Sequence, residues 1–235
     1  MPTSAPVPSL PEAPIAGGWS IERFALGPGA FHALEVVERP GRQVWISNPS
    51  TPAVVLGSTQ PGGIVDIVAA ARRGIEVVRR RSGGGAVLVV PGDLCWIDLV
   101  IERGDALWDD DVGLATHWVG EVWRAALSRL GLEVTVHHGP VVRSPWSELV
   151  CFAGLGPGEV VGDGGAKVVG ISQRRTRHWA RFQTAGLVRW EPFDVAQLLV
   201  PEPPAPLSDL ARAAQGCGRP AARLEAAFLA ALPAH

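Results

Sequence analysis

The 235-residue sequence contains no tyrosine, one methionine and three cysteines. The cysteines, Cys95, Cys151 and Cys217, form no CxxC pair and no regular framework, which argues against a disulfide-stapled secreted domain and predicts a reduced, cytoplasmic compartment. No apolar run reaches about 18 residues, so no membrane span is expected. Lysine and arginine total 21 against 23 acidic residues. A formal net charge of −2 argues against a general nucleic-acid surface.

The length suits one α/β domain with a small appendage. Residues 1–18 are rich in Pro, Ala and Ser and lack the basic-then-apolar order of a signal peptide, so they are predicted to form a disordered tail. Residues 19–200 are predicted to be the main domain. Residues 201–235, in which prolines precede alanine-rich stretches, are predicted to be a short C-terminal helical segment.

Alternating and continuous apolar runs predict several strands. They lie at 19–24, 43–47, 53–56, 93–101, 133–137, 148–152, 166–171 and 181–190. Helical spacing predicts helices at 30–37, 64–73 and 112–130, and residues 172–178 are predicted to be a basic loop. The Asp109–Asp111 triplet favours a helix cap over a metal site. The pair His137 and His138 lacks a third ligand at useful spacing, so no protein metal site is expected.

Residues 76–93 carry the most distinctive chemistry, because three arginines run into Ser82 and the glycine triplet 83–85. The β-prone valines on both sides predict a strand, a glycine turn and a second strand. Consecutive N–H groups of such a turn can wrap an anion, and arginine adds bidentate contacts to phosphate or carboxylate. The alternative is a basic surface hairpin. The turn is not a P-loop, because no Gly-Lys-Ser/Thr follows it.

Lys167 is a single lysine on an otherwise apolar predicted strand. A lysine in this context either protects an edge strand from pairing with another chain or acts as an electrostatic clamp for a substrate.

Two segments stand out together: residues 79–87, RRRSGGGAV, and residues 167–174, KVVGISQR. They resemble the lipoate–protein ligase and octanoyltransferase family, whose catalytic domain is shared with biotin protein ligases. The resemblance spans 19–200 and implies an α/β fold of the α+β type, with a mixed, mostly antiparallel sheet flanked by helices. It implies a pocket for a lipoyl or octanoyl chain beside the glycine turn. Residues 57–60 resemble the Gly-x-x-Gln substrate loop of that family.

The resemblance also implies roles for individual residues. Lys167 would bind the carbonyl or phosphate oxygen and stabilise charge during acyl transfer. The implied substrate-binding residues are Gln60, Arg80, Ser82, Gly83, Gly84, Gly85, Ala86 and Gly170.

Two chemistries are compatible with the resemblance. In a ligase, ATP and Mg²⁺ activate lipoate as an acyl-adenylate, which a lysine of an acceptor lipoyl domain or glycine cleavage H-type protein attacks. In an octanoyltransferase, a cysteine accepts octanoate from acyl carrier protein as a thioester. The Ser-Gly-Gly-Gly-Ala turn resembles that of the ligases, so a ligase is the first hypothesis. The segment around Cys151 resembles the transferases, so a transferase is the alternative.

Two positions depart from the pattern of the family. Val89 and Val90 stand where the family has His-Asp, and the sequence from Gln183 to Gly186 replaces its His-Gly. A third hypothesis is therefore a non-catalytic relative that binds lipoyl groups without turnover.

Overall fold

The computed structural model describes residues 18–37, 41–200 and 205–234. The strands are β1 (Trp19–Phe24), β2 (Arg42–Ser47), β3 (Ala53–Leu56), β4 (Glu76–Arg79), β5 (Val87–Val89), β6 (Leu94–Glu102), β7 (Thr135–Val136), β8 (Val160–Val161), β9 (Lys167–Arg175) and β10 (Trp179–Leu187). The helices are α1 (Pro28–Ala33), α2 (Ile67–Arg72), α3 (His117–Arg129), α4 (Pro192–Ala196), α5 (Leu207–Ala213) and α6 (Ala221–Leu229).

The strands form a seven-stranded sheet in the order β1-β2-β6-β10-β9-β8-β7 and a three-stranded sheet in the order β4-β3-β5. Among the strands of the described residues, only the β1–β2 and β3–β4 pairs are parallel. The other strand pairs of the described residues are antiparallel. The predicted mixed, mostly antiparallel sheet flanked by helices is confirmed. No helix among the described residues is long and apolar enough to cross a membrane.

Strand β6 is buried on both faces, which explains why its sequence is nearly all apolar. On one face, Ile97 and Leu99 share a core with α3 and α6, where the rings of Trp123 and Phe228 lie 4.6 Å apart. On the other face, Trp96 packs in a cluster that includes residues of the smaller sheet. The space between the two sheets is therefore walled by β6 and by the strands next to the glycine turn.

The glycine turn is not the tip of a hairpin. Strands β4 and β5 both pair with β3, which lies between them, so the turn crosses over one end of the small sheet. The alternative of a basic surface hairpin is wrong. The edge-strand explanation for Lys167 is wrong as well, because β9 is bonded to β10 on one side and to β8 on the other.

Several predicted elements differ from the structure. Residues 148–152 do not form a strand; only Val150 bridges to Ala86, and a short 3-10 turn covers Cys151–Ala153. Helix α3 begins at His117, because turns, one held by the Asp111 carboxylate, occupy the stretch before it.

Strand β9 continues to Arg175 through the predicted basic loop. Arg174 stacks over Trp179 and Arg175 over Trp108, so aromatic rings cover the guanidinium groups. In α2, Ile67 and Val68 are exposed and Ala70 is buried.

The predicted tail falls almost entirely on residues outside the described part of the chain, and the domain limits at 18, 19–200 and 201–235 remain predictions. In the described C-terminal part, α5 and α6 are helical, and backbone bonds join this segment to the large sheet. Gln215 N donates to Lys167 O at 3.0 Å and Cys217 N to Leu187 O at 2.9 Å. The segment therefore packs beside the strand that carries Lys167.

Candidate active site

The glycine turn is held in place by very close backbone approaches. A Cβ atom on Gly57 would lie 1.9 Å from the carbonyl oxygen of Gly84, and one on Gly85 would lie 2.6 Å from the backbone nitrogen of Cys151. Gly84 has a φ of +97°, which disfavours a side chain. A Cβ on Gly83 would meet nothing within 4 Å. Two glycines are thus required by packing and one by its backbone conformation, while Gly83 faces open space.

Arg80 organises the turn from within. Its guanidinium donates to the carbonyls of Gly83 and Gly85 at 2.8 Å each, and the side chain is buried. Within the described part of the chain, no acceptor meets the N–H groups of Gly83, Gly84 and Gly85. In this turn, two carbonyls accept from the Arg80 guanidinium and the three glycine N–H groups are available to donate. An anion-binding backbone loop requires such available N–H groups. A direct contact of Arg80 with a ligand stays a prediction.

The loop at 57–60 is fixed against the turn by two side chains. Gln60 accepts from Gly57 N at 2.9 Å and donates to the carbonyls of Glu148 and Leu149. Arg79 donates to the carbonyl of Gly57 at 2.7 Å. Gln60 thus lines the site and also joins two of its walls.

A chain of hydrogen bonds runs beneath the turn to α1. The hydroxyl of Ser172 donates to that of Ser82 at 3.2 Å, and Ser82 donates to Gln183 Oε1 at 2.8 Å. The amide nitrogen of Gln183 lies 3.0 Å from His32 Nδ1. Ser82, one of the implied substrate residues, is therefore the first link between the glycine turn and the interior.

His32 is kept neutral by its surroundings. Burial, followed by the nearby charges of Arg181 and Arg80, lowers the pKa of His32 from 6.5 to about 3. Arg181 is itself fixed by Asp98, through a buried 2.7 Å contact, and donates to the carbonyls of Phe31 and Leu34 on either side of His32.

This lowered pKa predicts a loss of stability in acid. The unfolded chain takes up a proton near pH 6.5 and the folded chain only near pH 3, so stability is complete above pH 6.5 and falls between these values. The slope from this one residue can reach about 1.4 kcal/mol per pH unit. We expect urea titrations of His32→Phe to show a shallower fall from pH 6.5 to 4 than wild type. Equal slopes would contradict a neutral His32.

Lys167 and Glu159 form a buried ion pair with side chains 3% and 5% exposed. The ammonium of Lys167 donates to both Glu159 oxygens and to the carbonyls of Cys151 and Gly154, at 2.8–2.9 Å. Glu159 also accepts from the backbone nitrogens of Gly156 and Ile171. Because both groups line the groove described below, the pair places a fixed ammonium and its carboxylate partner at the wall of the site.

Two adjoining spaces share Cys151 in their walls. An open groove of about 750 Å³ is lined by Gln60, the three glycines, Glu159 and Lys167, among others. A smaller cavity of about 60 Å³ lies between the two sheets, with Val55, Val89, Leu94, Trp96 and Gly170 in its wall. Cys151, Ile171 and Ser172 line both spaces, and the place where the two spaces adjoin at these residues is called the passage. Cys151 is half-buried, and its sulfur would lie 4.0 Å from a Cβ on Gly84.

The structure thus brings the predicted residues of the two motifs to one place. Ala86 differs from the other predicted residues, because it is buried and its N–H already donates to the carbonyl of Leu149. Sequence reasoning identified neither Glu159 as the partner of Lys167 nor His32 and Gln183 as a polar pair at the inner cavity. The one signal for the Lys167–Glu159 pair was the spacing of a lysine and a glutamate eight residues apart, on either side of a glycine hairpin.

A family model for the lipoyl protein ligase A/B catalytic domain matches residues 35–218. This chain belongs to that family. The match covers most of the sequence, includes both motifs, and reaches into the segment after residue 200.

Solved structures of lipoate protein ligases share the fold of this family member. The bipartite ligase of Thermoplasma acidophilum, described with its E2 lipoyl domain, has a TM-score of 0.68 at 14% identity, over 92% of this chain and 82% of its own. The T. acidophilum protein Ta0514 with bound lipoic acid has a TM-score of 0.67 at 15% identity, over 92% and 84%. A lipoate-protein ligase A bound with ATP has a TM-score of 0.66 at 15% identity, over 92% and 84%. Among curated protein sequences, none matches.

Proposed function

We propose that this chain attaches lipoate, or octanoate, to a lysine of an acceptor lipoyl domain through an acyl-adenylate. The observation that carries the proposal is the passage at Cys151, where the open groove and the apolar inter-sheet cavity meet beside the glycine turn. Relatives with this fold bind lipoic acid or ATP, and one is described with its E2 lipoyl domain, which supports the same ligands here.

The two spaces suit two parts of one reaction. An acyl chain enters the apolar cavity, which leaves its carboxylate at the passage, next to the unpaired N–H groups of the turn and the positive charge of Lys167. The groove lies within the range of about 300–1,000 Å³ usual for ligand sites and takes the nucleotide. The inner cavity is far smaller, so the side chains around it must move apart to accept a full chain.

The proposed reaction has two steps. The carboxylate oxygen of lipoate attacks the α-phosphorus of ATP, and pyrophosphate leaves. The uncharged amine of the acceptor lysine then attacks the acyl carbonyl, AMP leaves with the bonding electron pair, and the amine loses its extra proton to solvent. The open N–H groups and Lys167 stabilise the negative charge that develops on oxygen in both steps.

Magnesium is proposed to enter with the nucleotide. Among the described residues, no group of three or more His, Cys, Asp or Glu side chains converges to hold a metal ion. Glu159, which lines the groove, has its oxygens engaged by Lys167 and two backbone N–H groups. Phosphate oxygens are good ligands for Mg²⁺, so the nucleotide can carry it.

A cysteine-dependent octanoyltransferase is the second candidate, because Cys151 lies at the mouth of the acyl cavity. In that reaction the Cys151 thiolate attacks the octanoyl thioester of acyl carrier protein, whose thiol leaves. The acceptor amine then attacks the new thioester and releases Cys151. Lys167, bonded to the carbonyl of Cys151, would place a positive charge beside the attacking residue.

Intact-mass spectrometry separates these candidates. The purified chain is incubated with an acceptor lipoyl domain and either lipoate, ATP and Mg²⁺ or octanoyl-acyl carrier protein. We expect acceptor modification and pyrophosphate release in the first mixture, unchanged in Cys151→Ala. Cys217→Ala, which removes a thiol from the core, is the matched control.

Three results would overturn the ligase assignment, and two of them would assign a specific alternative. A hydroxylamine-labile octanoyl adduct that disappears in Cys151→Ala assigns the transferase. Lipoate binding without modification of the acceptor in either mixture assigns a non-catalytic lipoyl-binding relative. No binding of lipoate or octanoate at all contradicts the whole proposal.

A further inference from the structure

The inner cavity carries a polar group that an alkyl chain cannot satisfy. His32 lines this cavity together with apolar residues such as Val55, Leu94 and Trp96, and it is absent from the wall of the outer groove. Its ring lies against Trp96, with centroids 4.7 Å apart. His32 therefore lines only the inner cavity, where its partner Gln183 lies opposite Ser172 in the β9–β10 pair.

The hydrogen-bond chain determines which ring nitrogen of His32 carries the proton. Gln183 accepts the hydroxyl proton of Ser82 at its oxygen. The other atom of the amide group, its nitrogen, is a donor only and is the atom that faces His32 Nδ1. Nδ1 is thus the acceptor of the 3.0 Å bond. A neutral imidazole then has its proton on Nε2.

The Nε2–H group has no acceptor among the described residues, whereas neighbouring polar groups do have partners. Ser172 donates to Ser82, and Thr184 donates to the carbonyl of Ile97. A donor that remains unpaired when a ligand excludes water weakens binding of that ligand. Sulfur is a weak but real acceptor, and an all-carbon chain offers none.

We propose that His32 is a specificity-determining residue, whose Nε2–H selects an acyl chain with a sulfur or other acceptor in the part that reaches His32, such as the dithiolane ring of lipoate, over a plain octanoyl chain. The inference rests on the proposed acyl-attachment function and refines its substrate. On this inference, a residue of α1, which lies outside both sequence motifs, determines the selection between lipoate and octanoate.

Calorimetric binding to the full chain tests this selection with three acids of similar length: lipoate, octanoate and 6-thiaoctanoate. In 6-thiaoctanoate, sulfur replaces one methylene of octanoate, so this acid tests the effect of a sulfur acceptor without the dithiolane ring. We expect wild type to bind lipoate and 6-thiaoctanoate about tenfold more tightly than octanoate. In His32→Phe, which keeps a flat ring without a donor, both ratios should approach one, mainly through tighter octanoate binding. His178→Phe, at an exposed position, should retain the wild-type ratios.

The outcomes separate this inference from the function on which it rests. If the acids bind wild type and the ratios are the same in His32→Phe, the role of His32 is wrong and the function stands. If none of the acids binds wild type, both are wrong. Should His32→Phe fail to fold, ¹⁵N NMR of wild-type imidazoles replaces it. The Nε2 resonance of His32 should shift with 6-thiaoctanoate more than with octanoate, and equal shifts would overturn the inference.

Discussion

Replacing Lys167 with methionine is expected to slow acyl attachment by at least about 100-fold and to lower the free energy of unfolding by about 3–5 kcal/mol. The first effect follows because a fixed positive charge is removed from the place where negative charge develops on the substrate. The second follows because Glu159 is left as a buried, unpaired carboxylate. Single-turnover kinetics and urea unfolding followed by tryptophan fluorescence measure the two effects separately.

The double variant Lys167→Met/Glu159→Gln distinguishes catalysis from folding. Removing both charges should restore most of the lost stability, because no unpaired charge remains, but should not restore activity. Arg124→Met is a control for the loss of a cation, since Arg124 pairs with Glu121 in a half-exposed pair that contributes about 0–1 kcal/mol. Unchanged stability of the single variant, or a fully active double variant, would contradict these roles.

Gly57→Ala is expected to reduce lipoate binding by about 100-fold or more. The added methyl would lie 1.9 Å from the carbonyl oxygen of Gly84, so the loop and the glycine turn must separate. A displacement of about 1 Å in a positioned site can cost this much. Calorimetric titration with lipoate measures the loss, and unfolding curves report the accompanying destabilisation.

Gly62→Ala is the matched control for Gly57→Ala. It lies a few residues further along the same connection, and an added Cβ there meets nothing within 4 Å. It should bind lipoate as wild type does. If Gly57→Ala behaved like Gly62→Ala, the close contact between the loop and the turn would have no part in the site.

Much of this fold could be predicted from local sequence patterns, because strand and turn formation depends largely on residues that are neighbours in the sequence. Strands β1 and β3 have their predicted limits, and the glycine turn lies between two strands as expected. Residues 148–152 were mispredicted because an apolar run does not reveal that the backbone there must cover the turn at Gly85. In the same way, the extension of β9 to Arg175 depends on aromatic partners distant in sequence.

The residues of the candidate site were easier to predict than their contacts. The two motifs pointed to Arg80 and Lys167, but not to the carbonyls that Arg80 engages or to the carboxylate that Lys167 meets. His32 is a single histidine on a short helix, and nothing in its neighbours indicates a cavity. Its importance arises from Gln183, which is 151 residues away and reaches it only in the folded chain.

A crystal structure of the chain with lipoate would test the central claim most directly. The account predicts the acyl chain between the two sheets, the carboxylate at the passage beside Cys151 and the N–H groups of Gly83–Gly85, and the dithiolane ring next to His32. Lipoate bound only in the outer groove, or on another surface with the inter-sheet cavity closed, would contradict it.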